Sequence, residues 1–242
     1  MDDNAAGEPT LPGSSRLIMA AIWVIGAGLL VIGVNAELHR WAPPPVPPAS
    51  AARSLTSAAR GGTGAGRGHG GPGGSLPRSA PVSLRIPAIG VNARVIPLGL
   101  DASGGVAVPP LSTPFLTSWY DRGSAPGQDG PAVLLGHVDA AGVGPAVFYK
   151  LGDLVPGDLV YVTRRDRQTA VFRVTAVAMY PEQDFPTKQV YSFTPGPTLR
   201  LITCGGDFDA QTHHYLGRTI AFAVYAGEPR PARGRSSAWP GT

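Results

Sequence analysis

Three observations predict an all-β folded domain in this 242-residue chain, a barrel or sandwich closed to hide its strand edges. Short apolar runs recur from Val82 to Tyr225, punctuated by Gly, Pro and Asp. Several of these runs alternate apolar and polar residues, the two-residue period of a half-buried strand. No segment carries the 3.6-residue periodicity of a long amphipathic helix. No internal repeat is present.

The elements follow in order. Residues 1–16 form a short polar lead that would lie on the cytoplasmic side. Leu17 to Val34 is an uncharged apolar run of 18 residues, flanked by Arg16 and Asn35. As a helix it reaches about 27 Å, enough to cross a hydrocarbon core, so residues 17–36 are expected to be a transmembrane anchor. A cleaved signal peptide is the competing reading, with Val34-Asn35-Ala36 as a loose cleavage site. Arg16 and Arg40 balance each other across the run, and a large following domain translocates largely regardless of charge. The expectation is a single-pass plasma-membrane protein with its bulk outside.

Residues 37–80 form a Pro/Gly-rich linker expected to be disordered: stiff at Pro43-Pro44-Pro45-Val46-Pro47-Pro48, flexible at Gly61–Gly66 and Gly70–Gly74. The folded domain is expected over 81–228 and a flexible tail over 229–242. Its expected strands are Val82–Ile86, Val106–Val108, Ala132–Leu135, Leu159–Val162, Thr169–Tyr180, Leu199–Thr203 and Thr219–Tyr225. Alternation in the longest puts Val171, Arg173, Thr175 and Val177 on one face, and Phe172, Val174, Ala176 and Ala178 on the other. Pro114–Tyr120 and Ala146–Leu151 read as helical turns.

Charge and cysteine content narrow the function. Residues 42–80 carry four arginines and no acid, whereas 81–228 hold eleven Lys/Arg against twelve Asp/Glu. The basic pI therefore belongs to the tether and tail, which excludes a basic nucleic-acid face and favours an anionic membrane or wall surface. Cys204 is the only cysteine, so no intramolecular disulfide braces the fold.

That cysteine ends Leu199-Arg200-Leu201-Ile202-Thr203-Cys204, just before Gly205-Gly206. His137 ends another apolar run through Leu135-Gly136, and Arg218 opens a third after Gly217. Strand ends held by a rigid sheet are where catalytic groups gather. A free thiol is a few per cent thiolate at neutral pH; an imidazole can take its proton and a guanidinium can stabilise an oxyanion. Taken singly, the cysteine reads as a small buried hydrophobe, the histidine as structural and the arginine as a solvated charge.

Leu201-Ile202-Thr203-Cys204 resembles the Leu-x-Thr-Cys signature of sortases, the membrane-anchored cysteine transpeptidases of Gram-positive surfaces. Gly136-His137 after a strand resembles their histidine segment, and Arg218 lies at about their arginine's interval beyond the cysteine. Cys204-Gly205-Gly206-Asp207-Phe208-Asp209, His214-Tyr215, Pro131–Asp139 and Gly144–Tyr149 are similar to the class F sortases of actinobacteria. The resemblance covers about 82–225.

It implies a closed eight-stranded β-barrel that binds a Leu-Pro-x-Thr-Gly-type sorting-signal peptide of surface proteins. It further implies transfer of the acyl part from a thioester to an amine of a peptidoglycan precursor. Carried over, Cys204 is the nucleophile, His137 the general acid and Arg218 the oxyanion or substrate donor. Arg200, on the same strand face as Cys204, is the alternative arginine.

Neither a cofactor nor a metal is expected: Cys204, Asp207, Asp209, His213 and His214 match no zinc spacing. Asp139 is a candidate to orient the imidazole or to accept in a turn. No Gly-x-Ser-x-Gly elbow occurs, which disfavours a serine hydrolase. A hydrolytic cysteine peptidase on the same thiol and a non-catalytic wall-facing binding module are the other functional readings. A thiol alkylated no faster than a simple thiol would mark the binding module. Leu76-Pro77-Arg78-Ser79-Ala80 distantly resembles a sorting signal within the tether.

Overall fold

Alternating apolar side chains that must be hidden from water close the sheet on itself. In the computed structural model, which describes residues 43–48 and 74–228, eight strands form a barrel in the order β1-β2-β3-β4-β9-β10-β8-β7. The strands are β1 (Pro81–Ile86), β2 (Val91–Leu98), β3 (Thr117–Tyr120), β4 (Gly130–Gly136), β7 (Leu159–Arg164), β8 (Thr169–Pro181), β9 (Pro197–Asp209) and β10 (His214–Gly227). A two-stranded sheet, β5 (Asp139–Ala140) and β6 (Gly144–Pro145), lies outside it. One short helix, α1 (Thr187–Tyr191), follows β8.

Two apolar clusters explain the layers. Leu84, Leu134, Phe172, Leu199, Leu201 and Ala221 fill the interior. Val133, Leu135, Ile202, Ile220 and Phe222 form a second cluster that includes Val190 of α1. β4 is therefore buried along its whole length, which is why Ala132–Leu135 reads as a continuous apolar run rather than an alternating one.

β8 departs from simple alternation. Phe172, Val174 and Val177 all join the interior while Ala176 joins the outer cluster. A register shift against β10 between Phe222 and Ala223 leaves Thr175 without a partner there, and its hydroxyl donates to the Phe222 carbonyl at 3.1 Å. This bulge flips the faces midway along the strand.

Other elements differ from expectation for local reasons. Val91–Leu98 is a full strand, buried at Val91, Ala93 and Val95. Thr117–Tyr120, expected to be helical, pairs in parallel with β2, and long-range pairing overrides its local signals. Val106 makes only an isolated bridge to Leu100. The turn after Val147 ends in a 3-10 helix, Leu151–Asp153.

Of the tether expected to be disordered over 37–80, residues 43–48 and 74–80 are described, and both lie against the barrel. Tyr149 donates its hydroxyl to the Pro43 carbonyl at 3.4 Å. Leu76 packs on the interior cluster and its N–H donates to Gly127. Arg164, whose side chain is fully buried, donates to the carbonyls of Pro77 (2.5 Å) and Pro126 (2.6 Å) and pairs with Asp166 at 2.7 Å. These hydrogen bonds need no apolar run to announce them, which is why the sequence carries no mark of the contacts at 43–48 and 74–80. The anchor expected at 17–36, the lead 1–16 and the tail 229–242 lie outside the described residues. Among those described, no helix is long and apolar enough to cross a membrane.

Candidate functional site

Sheet register gathers the three predicted residues. β9 and β10 are antiparallel with Cys204 opposite Arg218, Ile202 opposite Ile220 and Arg200 opposite Phe222. β4 and β9 are parallel with Leu135 opposite Ile202. Arg218 and Cys204, paired on β10 and β9, and His137, just past the end of neighbouring β4, therefore form a row. All three line one cavity of about 580 Å³.

Small residues allow this convergence. A Cβ on Gly136 would come within 2.6 Å of Val147 and 2.8 Å of Phe148, whose N–H donates to the His137 carbonyl at 2.9 Å. A Cβ on Gly217 would meet the Tyr180 carbonyl at 2.7 Å, so the backbone carrying Arg218 could not sit this close to β8.

The hydrogen bonds assign roles to individual atoms. Arg218 Nη1 lies 3.7 Å from Cys204 Sγ, and its Nη2 is held by Glu182 Oε1 at 2.7 Å. The guanidinium thus bridges a carboxylate and the thiol. His137 Nε2 lies 2.6 Å from the Pro109 carbonyl. A carbonyl only accepts, so Nε2 carries the hydrogen and Nδ1 is the nitrogen left for proton exchange.

The electrostatics of the thiol are opposed. Burial pushes Cys204 above the ordinary thiol value, Arg218 pulls it down, and Asp139 and Glu182 push it up again. Cys204 is a mostly buried, protonated thiol at rest, with its activating charge already in contact. Slow alkylation at neutral pH is thus expected of an enzyme too and does not mark a binding module.

Arg200 is not part of this site. It is 7% exposed, donates to the carbonyls of Gln189 (3.2 Å) and Leu199 (3.1 Å), and its guanidinium stacks 5.0 Å from the Phe222 ring. Burial lowers its pKa to about 10. Four residues of strand, about 13 Å, separate it from Cys204. It belongs to the packing beneath α1.

The Asp139 carboxylate accepts from the Tyr215 hydroxyl, whose pKa burial and that bond raise, while the imidazole is held by the Pro109 carbonyl. Asp209 caps the β9–β10 turn by accepting from the Gln211 N–H and the Thr212 hydroxyl, both at 2.8 Å. Among the described residues, no three His, Cys, Asp or Glu side chains are grouped to hold a metal. Leu76–Ala80 lies against residues 121–128 and 164–166, apart from the thiol's cavity.

Glu182 is the residue that sequence reading missed. It sits in Pro181-Glu182-Gln183-Asp184, a polar turn after β8 with no motif around it. Tyr215 was noticed only within a family-like segment; its pairing with Asp139 depends on a fold-level contact.

Comparison with known proteins adds the following. The sortase domain family model matches residues 84–226. Sortase A from Corynebacterium diphtheriae is similar at 19% identity, with 65% of each chain covered and a TM-score of 0.47. Listeria monocytogenes sortase A is similar at 19% identity, covering 64% of this chain and 92% of that one, TM-score 0.46. Sortase C from Clostridium perfringens is 14% identical over 60% of this chain and 68% of that one, TM-score 0.44. The chain thus spans just under two thirds of the Corynebacterium protein. No curated protein matches.

Proposed function

The chain belongs to the sortase family, and from that premise we propose that it is a membrane-anchored cysteine transpeptidase of the class F-like kind. Its substrate would be a Leu-Pro-x-Thr-Gly-type sorting signal, its acceptor an amine of a peptidoglycan precursor, and its workplace the outer face of the plasma membrane. The observation that carries this reading is the row of Arg218, Cys204 and His137 in one cavity, with the guanidinium 3.7 Å from the sulfur.

The steps follow from the groups. Cys204 passes its thiol proton to His137 Nδ1 and attacks the Thr carbonyl carbon as a thiolate, forming the C–S bond. Arg218 donates to the oxyanion, which its permanently charged planar fork suits better than an ammonium. The C–N bond then breaks as the His137 imidazolium gives its Nδ1 proton to the leaving amine. Throughout, the Pro109 carbonyl holds the ring through Nε2–H. The acceptor amine attacks the thioester, loses a proton to His137, and expels the thiolate.

The test uses the full-length chain, a Leu-Pro-Ala-Thr-Gly peptide and glycinamide, with products read by mass spectrometry. Amine-capped product is expected, and Cys204→Ala and His137→Ala should each remove it by several orders of magnitude while leaving the fold intact. Arg218→Lys should cost about 10²–10³ in kcat. Hydrolysed peptide alone, whatever the amine concentration, would establish the peptidase instead. Peptide binding with no acyl-enzyme and no turnover would establish the binding module.

A further inference from the structure

A second cavity, of about 670 Å³, adjoins the one containing the thiol. Val106 and Tyr191 line both, so the two meet at a neck between facing walls. One wall comes from the loop 100–106, the other from the segment 185–193. The outward-facing positions of β4, with His137 just beyond its end, run along the base: Leu135 and His137 in the thiol's cavity, Pro131 and Val133 in the second. Six residues of extended chain, Pro131 to His137, span about 20 Å.

The second cavity differs in charge from the first. Asp101, Glu182, His137 and Arg218 line the thiol's cavity, whereas the second has Arg78 and Arg122 and no carboxylate. Arg78 is fixed there. It donates to the Gly123 carbonyl at 2.8 Å and to the Asp121 carbonyl, and its guanidinium lies 5.1 Å from the Trp119 ring. Arg122 is exposed and has neither a hydrogen bond nor an ion pair among the described residues. The Asp121 carboxylate, close to Arg122 across Gly99, makes no ion pair with it within 4 Å. Tyr120, Tyr191 and Phe193, the last 71% exposed, add an aromatic surface for an aliphatic stem.

We propose that this second cavity is a subsite for the substrate polypeptide just upstream of the sorting signal, and that it selects a carboxylate side chain there through Arg122, with Arg78 adding positive field. The inference rests on the transpeptidase reading. Length sets the position. With the Thr carbonyl at Cys204, the four residues back to Leu cover about 13 Å of extended chain. The remaining 7 Å or so holds two more residues, which bring the first or second upstream side chain beside Arg122. The upstream direction follows from the chemistry: the acyl part stays bound through both half-reactions, so contacts to it act in each, whereas contacts to the departing amine act in one.

The test compares kcat/KM of the full-length chain on matched peptides. One pair carries Asp or Asn immediately before Leu-Pro-Ala-Thr-Gly; a second pair carries the same residues after the Gly. The upstream Asp peptide should be favoured about two- to fivefold at low salt, the size of an exposed ion pair, with the preference fading at 1 M salt. The Asp/Asn ratio should fall to about one in Arg122→Gln, and Arg122→Glu should favour Lys over Asp at that position. A wild-type ratio of one, a ratio unchanged in Arg122→Gln, or a preference confined to the downstream pair overturns the subsite. Turnover of none of these peptides refutes the transpeptidase reading instead. The subsite is then decided by fluorescence anisotropy of the same labelled peptides on Cys204→Ala chain, which needs no turnover: tighter upstream-Asp binding sustains it, and equal binding or no binding ends it.

Discussion

Replacing Glu182 by Gln should make Cys204 more reactive, and the geometry bounds by how much. The thiol faces Arg218 and Tyr215 from β10, Glu182 from the turn after β8, Asp139 from β5, and His137 beyond β4. Burial raises its pKa, Arg218 lowers it, and the two carboxylates raise it. Glutamine keeps an oxygen that can accept from Arg218 Nη2 but removes the negative charge. The thiol's pKa therefore falls, and the thiolate fraction below that pKa grows.

Glu182 is 60% exposed, so its effect is limited by solvent screening. Exposed charges couple by roughly 0.2–1 kcal/mol, which is at most about fivefold in thiolate at neutral pH. The assay is the rate of iodoacetamide alkylation against pH, with the alkylated residue identified by mass. Glu182→Gln should run up to about fivefold faster at pH 7 and converge with wild type well above the thiol's pKa, where both are ionised. Asp139→Asn should act in the same direction and Arg218→Ala in the opposite one. A slower Glu182→Gln, or an Arg218→Ala chain that alkylates like wild type, would refute the reasoning.

Arg200 supplies the contrast to Arg218. Because it is buried without a carboxylate partner, Arg200→Met should leave peptide turnover within about threefold of wild type. It should nevertheless lower the urea midpoint, since it removes the donors to the Gln189 and Leu199 carbonyls. Arg164→Met should destabilise as well. It orphans the Pro77 and Pro126 carbonyls, at about 1–3 kcal/mol for each buried acceptor, as read by chemical denaturation. The same change should speed amide exchange at Leu76, whose N–H bonds Gly127 beside that arginine, relative to amides in β9.

The three candidate residues stand out in the sequence because each sits at the end of an apolar run beside glycine. Those are local features, and strand plus turn is what local sequence encodes. Their row was not legible: it depends on β4 pairing in parallel with β9, and parallel neighbours so distant in the chain leave no local mark. The same limit produced the error at Thr117–Tyr120, a four-residue segment that becomes a strand because β2 and β4 flank it. The bulge at Thr175 and the clamp of Arg164 on Pro77 are also long-range pairings. Arg200 could not be distinguished from Arg218 by alternation, since both lie on the outer face; what separates them is α1, which covers one and leaves the other open.

The opposed charges around Cys204 bear on when the proposed reaction can begin. At rest the guanidinium is held by Glu182, and partial burial holds the thiol's pKa up. A peptide entering the cavity would displace water from around Glu182 and Arg218. That lowers the effective dielectric and strengthens the pull of Arg218 on a thiolate 3.7 Å away. The same exclusion would strengthen the push of Glu182 and Asp139, so the balance depends on distance: the guanidinium touches the sulfur, and no bond joins either carboxylate to it. Removing that water also desolvates the sulfur, the largest of the causes that hold the thiol's pKa up, so a filled cavity favours the thiolate only where the guanidinium contact outweighs that cost. The alkylation rate of Arg218→Ala, measured with and without bound peptide, reads that contact directly.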